Sequence, residues 1–239
     1  MEVTSFSTIP KPTLLIPTQE NDGSKSSHIW GSFMDGEKLD HVEIQTDKLH
    51  QCELLIHNTT LYEMNKLRRI LMSQIHTMSI EYIEIERNSS VLPDETIVHR
   101  LGLLPIYCQN MDDVTVMEDC VCENESGCKD CSLPFVLNVT GRTKKRFEVT
   151  SDHIQFTRKN LKISTERIPI FFLRNGESVL IRGKIQKSTA KIHSKWSPVT
   201  SSIIICEVKN GTYRLSFEGI GQIENKELVR KALHVLRHH

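Results

Sequence analysis

The sequence predicts an α+β fold in two parts: a layer built by both ends of the chain, and a mostly β domain inserted between them. Three observations carry this reading. Near each end, two strand-like runs lead into an amphipathic helix, so the ends can share one layer around a second unit. The stretch between them alternates with the period of two that marks strands and holds one short helical segment. Four of the chain's seven cysteines crowd into positions 120–131 of that middle stretch.

The bulk composition excludes several classes. The 239 residues carry 30 basic and 30 acidic side chains, a formal net charge of zero. A general nucleic-acid binder would show a basic excess, so little direct DNA contact is expected. Hydrophobic content of 38% and charged content of 25% are ordinary for a soluble chain. No run approaches the ~20 apolar residues of a membrane helix. The N-terminus lacks the basic start and apolar core of a secretory leader. Seven cysteines without a leader point to a reducing compartment, where clustered thiols bind metal more often than they pair.

In chain order, residues 1–36 are rich in Ser, Thr, Pro, Asn and Gly, and Pro10, Pro12 and Pro17 bar a long helix. A flexible tail is expected there, with Leu14, Leu15, Ile16, Trp30 and Phe33 available to anchor it. Between 39 and 56, Val42 and Ile44, then Cys52, Leu54 and Ile56, alternate with polar residues across a turn at 46–50. Thr60 with Glu63 three residues on is a capping-box signature that opens a helix. Leu61, Met64, Leu67, Leu71 and Ile75 recur at steps of three or four and form one apolar face, with Lys66 and Arg69 opposite. Ile70 and Met72 widen the apolar surface, so the helix calls for cover from a sheet and from a second protein. A strand follows. Met78, Ile80 and Tyr82 are its apolar set until the phase slips to Ile83 and Ile85, as a bulge or a crossing between sheets produces. Asn88-Ser89-Ser90 breaks the strand. Pro93-Asp94-Glu95 starts a short helix that ends near Arg100, before Gly102.

After the acidic stretch Asp112, Asp113, Glu118 and Asp119, the cysteines read C-x-C-x5-C-x-x-C: Cys120, Cys122, Cys128 and Cys131. Four thiolates at this spacing can close a tetrahedral shell around Zn2+, which leaves no place for a water and makes the site structural. An iron–sulfur cluster is the alternative occupant. Gly127 lets the backbone curl, and Asn124, Glu125 and Ser126 supply a polar loop. Cys52, Cys108 and Cys206 read as buried small apolar residues.

Beyond the cysteines, Phe135, Leu137 and Val139 alternate up to a turn at Gly141, and another strand runs over 146–150. An apolar strand at 168–173 is expected to pair with 179–185 through the Asn175-Gly176 turn. Trp196 anchors the loop His193-Ser194-Lys195-Trp196-Ser197-Pro198. His193 has no nucleophile or paired carboxylate spaced to work with it, so it is not read as catalytic. A hairpin joins 203–208 to Tyr213, Leu215 and Phe217 around Asn210-Gly211. From Glu224 the pattern is helical, with Leu228, Ala232 and Val235 on one face and Val229, Leu233 and Leu236 beside them.

Several ordered stretches carry a resemblance. They are Asn65-Lys66-Leu67-Arg68-Arg69; the run from Ile80 through Asn88-Ser89-Ser90 to Leu92; Asp94-Glu95; His99-Arg100-Leu101-Gly102-Leu103-Leu104-Pro105; and the His193–Pro198 loop. Together they resemble the alpha-like subunits of DNA-directed RNA polymerases. Within that superfamily, which includes the bacterial alpha N-terminal domain, the likeness is greatest to the group of the third-largest eukaryotic polymerase II subunit and its archaeal counterpart. The resemblance implies a discontinuous dimerisation domain, 37–76 with 203–239, interrupted by an insert domain at 77–202. It implies a heterodimer with a small alpha-like subunit, a platform for the second-largest polymerase subunit, and a place in the nucleus, or the cytoplasm for a viral or archaeal chain. The interface expected from the two apolar helices comprises Leu61, Met64, Leu67, Arg68, Arg69, Leu71, Leu228, Ala232 and Val235. No nucleophile elbow, phosphate loop or acid pair appears, so the expected role is non-catalytic. The alternative is a free-standing zinc-binding nucleic-acid-binding transcription factor. That needs a basic, aromatic-lined face, which a neutral chain with 6% aromatics does not suggest.

Overall fold

The computed structural model describes residues 28–29, 42–47, 50–122, 124, 127–142 and 146–238. The expected tail anchors Leu14, Leu15, Ile16, Trp30 and Phe33, and Glu125 and Ser126 of the cysteine loop, lie outside the described residues. The fold mixes helix and strand and is mostly β. Its elements are β1 (His28–Ile29), β2 (Val42–Asp47), β3 (Gln51–Ile56), α1 (Leu61–Ser73), β4 (His76–Asn88), α2 (Asp94–Gly102), β5 (Ile106–Cys108), β6 (Ser132–Thr140), β7 (Phe147–Thr150), β8 (Ile154–Phe156), β9 (Leu161–Ile163), β10 (Pro169–Leu173), β11 (Ser178–Thr189), β12 (Ile204–Lys209), β13 (Thr212–Glu218) and α3 (Asn225–His238).

The two ends of the chain meet in one sheet, ordered β1-β2-β3-β13-β12. β3 and β13 run antiparallel, with Leu215 opposite Leu54, and Leu54 in turn opposite Ile44. All three are buried, as the alternation in β3 requires of one sheet face. α1 packs against α3 and against β13. The β12–β13 hairpin forms as expected, with Gly211 at a positive φ in its turn. β12 is an edge strand, and Cys206 sits opposite exposed Arg214. This corrects one expectation: Cys52 and Cys108 are buried, but Cys206 is exposed because it lies on the edge strand's outer side.

A second sheet of six strands runs β8-β6-β11-β4-β5-β9. β11 lies at its centre, paired with β4 and β6 along almost its whole length. Gly183 is required there, because a Cβ at that position would stand 2.5 Å from both the Phe135 ring and the Tyr82 carbonyl oxygen. The phase slip read from β4 is a bulge. Ile185 faces Ile80 and Lys184 faces Tyr82, which leaves Glu81 as the extra residue. Across it Ile80 is buried, Tyr82 turns out, and Ile83 and Ile85 take up the inner side.

The expected pairing of 168–173 with 179–185 is corrected. β10 pairs with β7 in a separate two-stranded sheet, while β11 belongs to the six-stranded one. Asn175-Gly176 does turn, with Gly176 at φ +86 and the Glu177 N–H donating 3.1 Å to the Arg174 carbonyl. The turn is shared with Gly141, whose N–H and carbonyl bond Glu177 and Gly176 at 2.9 Å each. Local turn chemistry fixes the reversal, and burial of Val179, Ile181 and Ile185 between two neighbouring strands decides the pairing. α2 also runs two residues past its expected end, burying Ile97 and Leu101.

Candidate metal centre and subunit interface

The cysteine loop is held by its flanks. The Cys120 N–H closes a short 3-10 turn onto the Met117 carbonyl, and Cys131 stands next to Ser132, the first residue of β6. The Thr115 N–H bonds the Asp130 carbonyl at 3.0 Å, and Arg158 donates to the Lys129 carbonyl at 2.6 Å. Residues 128–132 curl tightly, with the Ser132 N–H 2.8 Å from the Cys128 carbonyl. This curl turns the thiols inward. The Cys128 N–H reaches Cys131 Sγ at 3.2 Å, and the Asp130 N–H reaches Cys128 Sγ at 3.4 Å. Gly127 has φ +76, and a Cβ there would lie 2.6 Å from Ser132 Cβ and 3.1 Å from Cys131 Sγ. The loop therefore closes only around a glycine.

All four Sγ atoms lie within 4.8 Å of one another. Cys122 to Cys131 is 3.6 Å, Cys120 to Cys128 is 3.7 Å, and Cys128 to Cys131 is 3.8 Å. A tetrahedral ion with bonds of ~2.3 Å to sulfur needs edges of about 3.8 Å. The donor set fits a metal ion, and these four cysteines can hold one. The N–H groups of Asp130 and then Cys131 bring the Cys128 thiol down to about 7. Burial pushes Cys131 up to about 12.

The nine residues expected at the interface divide. Met64, Leu67, Leu71, Leu228 and Ala232 are at most 2% exposed within this chain alone. They pack into the core of this chain itself. The period of α1 showed an apolar circumference too wide for one sheet face, but α3 of the same chain supplies part of the cover. Leu61 is 60% exposed, Arg69 is exposed, and Arg68 and Val235 are half-buried. Tyr62, which the periodicity passed over, is 77% exposed beside Leu61. Arg68 is steered along its own helix by Asn65 Oδ1 at 3.0 Å and Met72 Sδ at 3.3 Å.

Sequence reasoning quoted Lys195 within the His193–Pro198 loop but gave it no role. Its Nζ donates 2.9 Å to the Ile80 carbonyl, pairs with the Glu81 carboxylate and lies 4.4 Å over the Trp196 ring. The His193–Pro198 loop thereby clamps the β4 bulge. His193 Nδ1 accepts the Lys195 N–H at 3.1 Å, a capping role. A lysine beside a buried tryptophan was the available signal.

Residues 83–208 match the family model of the RNA polymerase Rpb3/RpoA insert domain, more than half of the chain. The chain belongs to this RNA polymerase Rpb3/RpoA family. Among its relatives, DNA-directed RNA polymerase II subunit rpb3 of Dictyostelium discoideum is 35% identical over 173 residues, covering 67% of this chain and 55% of the relative. The Conjugation stage-specific protein of Tetrahymena thermophila is 32% identical, covering 73% of this chain and 61% of the relative. DNA-directed RNA polymerase subunit Rpo3 of Archaeoglobus fulgidus is 28% identical, covering 68% and 59%. The chain thus spans between 55% and 61% of the length of these relatives. Among the described residues no helix is long and apolar enough to cross a membrane.

Proposed function

We propose that this chain is a non-catalytic assembly subunit of a multisubunit DNA-directed RNA polymerase. It heterodimerises with a small alpha-like subunit, and the pair forms the platform on which the second-largest subunit docks for transcription. The observation that carries this reading is the insert-domain match, joined by relatives named as polymerase subunits in eukaryotes and archaea. The dimerisation domain is discontinuous, 37–76 with 203–239 around an insert at 77–202; antiparallel pairing of β3 with β13 supports it. The partner's first contacts are Leu61, Tyr62 and Val235, whose cover gains about 25 cal/mol per Å² of apolar area. Arg68 and Arg69 face the large subunits, where a planar guanidinium holds carboxylates or carbonyl groups. Met64, Leu67, Leu71, Leu228 and Ala232 set the spacing of the helices behind that contact.

Cys120, Cys122, Cys128 and Cys131 hold a structural Zn2+. When bound, the ion cross-links the loop to the start of β6 and supplies no reactive position. The assembly works in the nucleus. The free-standing nucleic-acid-binding alternative gains nothing from the relatives' names. The test is co-expression with the small alpha-like subunit of the same organism. The two chains should elute as a one-to-one heterodimer; a chain that stays monomeric beside a folded partner contradicts the proposal.

A further inference from the structure

A cleft of about 260 Å³ lies where the end of α1, the start of β4, the end of β11 and the last turns of α3 converge. Its polar lining includes His76, His234, the cations Lys187, Arg230 and Lys231, and the carboxylate Asp112, and Glu227 pairs with Arg230 and Lys231 beside it. None of these residues belongs to the cysteine loop or to the exposed end of α1, although Val235, proposed above as a partner contact, also lines the cleft.

The cations are fixed in place before any ligand arrives. Lys187, half-buried, donates to the Met111 carbonyl at 3.2 Å and the Val114 carbonyl at 2.9 Å. An ammonium has three N–H donors, and these carbonyls account for two. Lys231 is held by Asp112 at 2.6 Å and by Glu227 at 3.8 Å. Arg230 is held by both Glu227 oxygens. Asp112 and Glu227 offset Lys231 and Arg230, which leaves Lys187, bonded to two neutral carbonyl groups, as the cation that an entering anion would meet. The imidazole of His76 registers that field. Burial first, then the Lys187 and Lys231 ammonium groups, push it below its ordinary value, against the weaker pull of Asp119 and Glu118. Burial and Lys231 push Lys187 down as well, with Asp112 opposing.

We infer that this cleft binds a single phosphate-class oxyanion. Donors converge from three directions, β4, β11 and α3, which suits a tetrahedral acceptor better than a planar carboxylate. The volume lies below the ~300–1,000 Å³ of sites for drug-sized ligands. The occupant is therefore one phosphate group, free or on a side chain, and not a nucleotide. A dianion between Lys187 and Lys231 opposes their field at His76 and favours its protonated form.

The test is NMR on the full chain with labelled histidine, titrated with sodium phosphate at fixed ionic strength. Phosphate should shift the His76 and His234 ring resonances saturably and move the His76 titration midpoint upward, while acetate does neither. A response to O-phosphoserine as strong as to phosphate assigns the site to a phosphorylated side chain, and a response to inorganic phosphate alone assigns it to the free anion; both uphold the site. Lys187→Gln should abolish the shift at His234. Because Lys187 also supports two backbone carbonyls, Lys231→Gln is made beside it, with an unchanged amide spectrum as the check on folding. A His76 midpoint unmoved by phosphate, an equal response to acetate, or a shift that survives in a folded variant overturns the inference.

Discussion

At the residue scale, the cysteine loop depends on one glycine as much as on four thiols. Exchanging Cys128 and Cys131 for Ser is expected to remove about one equivalent of bound metal, since a tetrahedral site does not hold on two thiolates. Gly127→Ala, which replaces no ligand, should also lower metal content, because its Cβ would stand 3.1 Å from Cys131 Sγ. Elemental analysis of the purified proteins reads both, and unchanged content in the cysteine variant would remove the site. Thr60 gives a second residue-scale prediction. Its hydroxyl accepts the Glu63 N–H at 3.3 Å, and its own N–H donates 2.9 Å to the Glu63 carboxylate. Thr60→Ala should cost about 1 kcal/mol, measured by urea unfolding. The Thr60 N–H, then the Thr60 and Thr59 hydroxyls, hold the Glu63 carboxyl below its usual 4.5. A depressed carboxyl stabilises the fold above its ordinary value and loses that contribution as the pH falls through the folded value. The gap between wild type and Thr60→Ala should therefore narrow below about pH 4.5. The capping box was legible because both partners are three residues apart in sequence. Lys195 was not, because its partners Ile80 and Glu81 are more than a hundred residues away.

At the element scale, the β4 bulge is the joint between a local pattern and a distant clamp. The period-two reading of β4 located the slip, and the register with β11 places the extra residue at Glu81. Lys195→Met should destabilise the chain by roughly 1–3 kcal/mol, because it leaves the Ile80 carbonyl and the Glu81 carboxylate without their donor. Glu81→Gln should cost less, since Lys195 keeps its bond to the Ile80 carbonyl and Glu81 is partly exposed. Equal losses in urea unfolding would assign the clamp to the ion pair alone. The elements themselves were largely legible: α1, α3, β4 and the β12–β13 hairpin each carry a clear period. The partner of β10 was not, because the Asn175-Gly176 signal describes a chain reversal and says nothing about which sheet each arm joins. Cys206 was misplaced for a related reason, since position at a sheet edge is set by topology.

At the scale of the whole molecule, the sequence showed two helices with more apolar surface than a sheet could cover, and read the excess as an interface. The fold divides that excess. The centres of α1 and α3 close on each other inside the chain, and Leu61, Tyr62 and the flank near Val235 are among the apolar positions that stay exposed or half-buried. Period alone cannot separate a helix covered by its own chain from one covered by another, because both present the same stripe. The proposed role in a polymerase rests on family membership and on this smaller apolar edge together. The most direct measurement is isolation of the tagged chain from its own cells at native abundance, with mass spectrometry of the bound chains and their stoichiometry, run beside Arg69→Glu. The account predicts the small alpha-like and second-largest polymerase subunits in one-to-one ratio with the wild-type chain, and loss of the second-largest alone with Arg69→Glu. A wild-type chain recovered as a monomer, or with nucleic acid and no polymerase subunit, would contradict it.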